Sequence, residues 1–161
     1  GKIGSIPQTT LQMMVDEGIR LCVEADGAKG KWIKIPNSQE PVVPDLCDAV
    51  IGILNRKALG KSFLEAAHRP EICAGRFGKR PKDLVELTDL CRLWLGEDGI
   101  FQNCRQITRA VLSGVETGTG EDLFKEYREV FRWMRQQDMP VYIWERKNDR
   151  QRVFRPDQES L

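Results

Sequence analysis

The chain has 161 residues, 40% of them hydrophobic, enough to bury a sound core in a single domain, 1–161, and too few to expect two. Its 25 basic and 24 acidic residues leave a formal charge of +1, so the overall field points to neither a nucleic-acid nor a membrane partner and only local clustering can. No long apolar run and no basic segment leading into an apolar stretch and a cleavage site occurs, which argues against a spanning helix or a secretory leader.

Five cysteines, at positions 22, 47, 73, 91 and 104, are odd in number and never form a Cys-x-x-Cys pair. Core thiols in an intracellular, reducing compartment, cytoplasm or nucleus, are expected, and neither a metal site nor a cofactor.

Residues 10–25 place Leu11, Met14, Val15, Ile19 and Cys22 at three-and-four spacing behind Thr9 or Thr10 as a cap, which predicts an amphipathic helix. DGAKG breaks it, and KWIKIP (31–36) alternates as one short strand. NSQEPVVP is a loop, and Pro44 suits the first turn of a central helix through DLCDAVIGILNRK (45–57), apolar nearly all round. KSFLEAAH (61–68) forms a short helix, whereas RPEICAGRFGKRP (69–81) is interrupted by two prolines and two glycines and reads as irregular.

Further helices are predicted over 82–95, ending at Gly96, and over 99–114, with Ile100, Cys104, Ile107 and Val111 in phase. After VETGTG, residues 121–137 set Leu123, Phe124, Tyr127, Val130, Phe131 and Met134 on one face, the clearest helix of the chain. Beyond Pro140 the alternation of VYIWERKNDRQRVF around Asn148 and Asp149 predicts a hairpin. The expected fold is α+β and mainly helical: about six helices with a small antiparallel sheet that includes the C-terminal β-hairpin and that the first strand can join.

Charge is segregated along the chain. Residues 1–68 are neutral, 69–82 carry +4, 83–126 carry −5, 127–155 carry +4 and the last six carry −2. Arg76, Lys79 and Arg80 lie in the first basic island. Arg128, Arg132 and Arg135, with Arg146, Lys147, Arg150 and Arg152, make up most of the second. Glu121, Lys125, Arg128, Arg132 and Arg135 fall close to one line of the 121–137 helix; dipole complementation and spaced pairs explain such a line most simply, and a basic ridge is the functional alternative. Clustered arginines bind phosphates through counterion release and bidentate forks, and Trp144, Phe77 or Phe154 would stack unpaired bases if they face outward. A helix followed by a basic hairpin also resembles the element order of a winged helix, although the turn after Leu112 is long for one.

Three motifs suggest other chemistry. GILNRKALGKSFLEA (52–66) ends in Gly60, Lys61 and Ser62 like a Walker A loop and resembles the frame of P-loop GTPases. Yet Asn55 stands where the first glycine must be, the segment before the loop reads as helix, and the chain beyond residue 66 lacks the strands of a parallel sheet. His68, the sole histidine, would have to serve any pairing with Cys73, but a histidine at a helix end is commonly a dipole partner. GKIGS fits a myristoylation pattern on Gly1 if an initiator methionine is removed, with the basic islands as the second membrane signal.

The expected function is therefore non-enzymatic nucleic-acid binding, RNA or single strands favoured, through Arg76, Lys79, Arg80, Arg128, Arg132, Arg135, Trp144, Arg146, Lys147, Arg150 and Arg152. The competing expectation is a protein-interaction or self-assembly module that meets an acidic partner or another copy, a class that includes viral structural or matrix-like proteins reaching membranes if Gly1 is acylated.

Overall fold

In the computed structural model, residues 6–116, 119–147 and 149–155 are described, with Glu121 and Lys147 as backbone only. The chain runs α1 (Gln8–Asp16), β1 (Ile33–Lys34), β2 (Ala49–Asn55), a 3-10 turn (Arg56–Ala58), α2 (Phe63–Ala66), β3 (Ala67–His68), α3 (Pro70–Arg76), α4 (Leu87–Leu95), β4 (Ile107–Glu116), α5 (Gly120–Glu126), α6 (Arg128–Gln136), β5 (Val141–Lys147) and β6 (Arg150–Phe154). The class is α+β, as expected. It is not mainly helical.

Two segments expected as helices are strands. Residues 49–55 and 107–116 form β2 and β4, which pair in parallel from Ala49↔Ile107 to Asn55↔Ser113. Val50, Ile51 and Ile53, and Ile107, Thr108, Val111 and Val115, explain the choice. Branching at Cβ stiffens these side chains against a helix and fits them to a pleated surface, and a short apolar run carries no period that separates buried strand from buried helix.

The small antiparallel sheet is likewise corrected. The main sheet has four strands in the order β2-β4-β5-β6. β4 and β5 pair in parallel, with a register shift between Leu112 and Val115. The expected hairpin is the antiparallel β5–β6 pair, Ile143↔Phe154 to Lys147↔Arg150. β1 does not join it but pairs in parallel with β3.

Other boundaries moved for local reasons. α1 ends at Asp16 because Gly18 turns the chain with φ +79°. The supposedly irregular stretch contains α3, since Pro70 at its first turn costs the helix no hydrogen bond it would otherwise make. The 121–137 helix is divided at Tyr127, which caps both α5 and α6 at φ −112°, ψ 25°.

The core lies on one face of the main sheet. Leu54, Ala110, Leu112, Val141, Ile143 and Phe154 point into it, against Leu90, Leu93 and Trp94 of α4, Leu123 of α5 and Phe131 and Met134 of α6. The Trp94 indole N–H donates to the Gly52 carbonyl at 3.0 Å, pinning α4 to β2. Gly52 is required there: a Cβ would come within 2.5–2.8 Å of the Ile100 and Phe101 side chains. Among the described residues no helix is long and apolar enough to cross a membrane.

Candidate functional site at the carboxyl edge of the parallel sheet

Because β2, β4 and β5 are parallel, their carboxyl ends open on one side of the sheet, the side on which open α/β sheets hold their ligands. After β2 come Arg56 and Lys57, both exposed. The Asn55 carboxamide oxygen accepts the Lys57 backbone N–H at 3.0 Å and fixes that turn. Gly114, in the register shift of β4, has φ +73° and lies under the Asn55 carboxamide, which a Cβ would overlap.

β5 ends at the same side in exposed Arg146. Glu145, one residue earlier, is buried and accepts the Gly120 N–H at 2.7 Å through Oε1, tying β5 to the start of α5. Its Oε2 is buried without a hydrogen-bond partner among the described residues.

The α5–α6 junction completes the edge. Lys125, Glu126, Tyr127, Arg128, Glu129 and Val130 line an open cleft of about 520 Å³. A hydrogen bond to Glu126, helped by burial and by that carboxylate's charge, raises the Tyr127 pKa, and the nearby Arg56 guanidinium opposes the rise. Arg56 is thus placed beside this junction. Arg128 is exposed over the Phe124 ring, 6.0 Å from its centroid. The edge therefore gathers Arg56, Lys57, Arg128 and Arg146 from segments far apart in sequence.

Only part of the expected basic surface is found here. Arg76 is paired with Asp98, and Arg80 with Asp83 at 3.2 Å. Lys79 contacts Asp89 at 2.6 Å and Glu86 at 3.3 Å. Burial works to lower the Lys79 pKa, but hydrogen bonds to these carboxylates and their charges outweigh it and hold the ammonium above its ordinary value. These three loop-island residues are thus each paired with a carboxylate, Arg80 at the surface.

In the second island, Arg132 pairs with Glu129 at 2.6 Å, and Arg135 and Arg152 also engage neighbours. Arg152 stacks 4.2 Å from the Phe154 ring centroid. Phe154 is core and not a stacking platform, and Phe77 packs half-buried against Phe63. Trp144 is half-buried opposite Val153, and Arg150 is exposed on β6. The Lys147 side chain and Gly1 lie outside the described residues.

The Walker-like stretch does begin with a strand, where a helix is expected, and continues into the expected short helix, yet it offers no phosphate nest. The amides of Gly60, Lys61, Phe63 and Leu64 donate to the carbonyls of Val85, Ala58, Asp83 and Pro81. Lys61 pairs with Glu65 at 3.1 Å. Cys73 is buried, which pushes its thiol up to about 12, so it is no nucleophile partner for His68.

A charge network that the sequence did not disclose lies around Lys34. Buried in β1, it pairs with Asp26 and, at 2.9 Å, with Glu40, which also reaches Arg69 at 3.5 Å. Arg69 sits in the left-handed region at φ 58°. Burial, then the charges of Arg69, Lys29 and Lys34, hold the His68 pKa below its ordinary value. The one sequence signal was a lysine at an alternating strand position. Among the described residues no cluster of three or more His, Cys, Asp or Glu is arranged to hold a metal ion.

A three-stranded parallel sheet with crossover helices and a cationic carboxyl edge defines the class to which comparison can be made. Residues 1–71 match the model of a family described as YqeC protein. A relative called "Uncharacterized protein YqeC", from Escherichia coli (strain K12), is 34% identical over 92 residues, which is 56% of this chain and 36% of that protein. The matched stretch thus spans about a third of the relative's length. No solved structure matches the chain.

Proposed function

We propose that the protein binds a phosphate-bearing ligand at the carboxyl edge of β2, β4 and β5, and that the ligand is of the nucleotide class. The observation that carries this reading is the convergence of Arg56, Lys57, Arg128 and Arg146 where three parallel strands end, beside an open cleft. Exposed cations there keep their donors for phosphate oxygens, whereas those of the loop island are spent on Asp83, Asp89 and Asp98. Glu145 brings the start of α5 to the same edge.

Calorimetric titration with a nucleoside triphosphate and with inorganic tripolyphosphate tests it. Saturable binding is expected, and Arg56→Ala with Arg128→Ala should weaken it by about 10- to 100-fold, as loss of charge-assisted hydrogen bonds at about 1.5–3 kcal/mol implies. Absence of binding by either compound defeats the reading.

A second reading, binding of single-stranded nucleic acid, is favoured by exposed Arg146 on the same hairpin face as Trp144, with exposed Arg150 near the hairpin tip on the opposite face. It calls for affinity that falls steeply with salt. Arg146→Ala with Arg150→Ala should reduce the log–log salt slope by about 1.4, at roughly 0.7 per phosphate on a single strand. An unchanged slope counts against it.

A further inference from the structure

The main sheet carries the core on one face, and each of its terminal strands, β2 and the antiparallel β6, has a single strand neighbour among the described residues. Its order, β2-β4-β5, advances in a single direction, and right-handed crossovers accordingly place the connecting helices on one face. On the other face Ile51, Ile53 and Ile107 at the β2 side are 61%, 52% and 57% exposed, with exposed Arg109 opposite Ile51, while Val111 in the middle is buried and Tyr142 and Trp144 are half-buried. α1 packs extensively on no strand or helix, and Ile19 and Val23 after it are exposed as well. β2 is hydrogen-bonded to β4 alone, so its outer row of backbone groups has no strand partner among the described residues.

Parallel strands occur almost only in sheets covered on both faces, and an apolar patch of this kind marks a contact surface. In doubly wound sheets a second half starts beside the first strand and winds the opposite way, which lays its helices on the opposite face. One occupant would therefore satisfy both deficiencies. A second copy of this chain would not: joined edge to edge it leaves the isoleucines bare, and stacked face to face it leaves the β2 edge unpaired.

We propose that the free edge of β2 and the Ile51–Ile53–Ile107 face are the docking surface for a second α/β half, which adds a strand parallel to β2 and a helix over the isoleucines. The E. coli relative has room for such a half: the 92 matched residues are 36% of it, and after a counterpart for the remainder of this chain about a third of its length is left. This inference stands on topology and exposure and is independent of the phosphate reading.

The test is to coexpress this chain with the part of the E. coli YqeC polypeptide that lies beyond the counterpart of this whole chain, supplied separately. A one-to-one complex is expected, with amide exchange along β2 slowed at least about tenfold relative to the chain alone. Ile51→Lys with Ile53→Lys should abolish the complex and leave the melting temperature of the chain alone unchanged, because both side chains are exposed. A complex indifferent to the double substitution overturns the proposal, as does failure of the flanking polypeptide to bind. So does a concentration-dependent homodimer that protects β2. Amide exchange on the isolated chain adds a check needing no partner: β2 already protected in a monomer would show that the edge is not free.

Discussion

Lys34 shows what a single residue contributes. Its ammonium is nearly buried between Asp26 and Glu40, and burial, which alone would lower its pKa, is outweighed by hydrogen bonds to and the charges of both carboxylates. Lys34→Met would leave two carboxylates facing a gap without a cation, and a loss of about 3 kcal/mol in urea unfolding is expected, at the low end for a broken buried pair because both partners are partly wet. The signs of the shifts set the pH dependence. Glu40 is lowered, first by the Asn37 backbone hydrogen bond, so its contribution is present above the ordinary carboxylate range and lost as pH falls through the depressed value. Lys34 is raised, so its contribution is complete below 10.5 and lost as pH rises through the raised value. His68 is lowered, so its contribution is present above 6.5 and lost as pH falls through its depressed value. His68→Gln should therefore flatten the stability curve just below pH 6.5 and leave the limb near pH 4 in place, as thermal melts across that range would show. Apart from a lysine at an alternating strand position, none of this network was legible in the sequence. A count of charges records sign and position, whereas pairing brings Asp26 and Glu40 to Lys34, and Arg69 to Glu40, from separate segments.

At the scale of elements, the amphipathic helices α4 and α6 and the β5–β6 hairpin were legible because each declares a period within its own residues. β2 and β4 were not. Each alternates weakly, since Gly52 and Leu54 enter the core while Ile51 and Ile53 do not, and an isoleucine on the outer face looks the same in a string of letters as one on the inner. Misreading them hid the site as well, for its cations converge only once these strands are parallel. Of the grounds against a P-loop, Asn55 at the first glycine position stands, whereas the helix before the loop and the lack of later parallel strands do not; the hydrogen bonding of the loop amides is the firmer reason. Gly114 is the element-scale test of the site. With φ +73° and the Asn55 carboxamide above it, Gly114→Ala should destabilise the protein by about 1–3 kcal/mol and loosen the turn that presents Arg56 and Lys57. Chemical unfolding checks the first effect and phosphate-ligand titration the second.

For the whole molecule, near-neutrality conceals two basic islands with different fates. The loop island closes on acids of the middle segment and serves cohesion; part of the other remains exposed at the end of the sheet. Composition therefore located the charge correctly without separating internal pairing from outward display, which depends on which acids the fold brings near. The connection from β2 to β4 has a last consequence. The two strands can pair only after the chain 56–106 has looped out and returned, and within that loop α2, β3, α3 and α4 already bury Phe63, Ala66, Cys73, Leu90 and Trp94 together. Closing so long a loop is entropically dear until its contents are compact, and pairings distant in sequence slow folding. The excursion is thus placed to assemble early and carry β4 to β2 as its ends draw together, making the Trp94–Gly52 contact a natural latch for the nucleus.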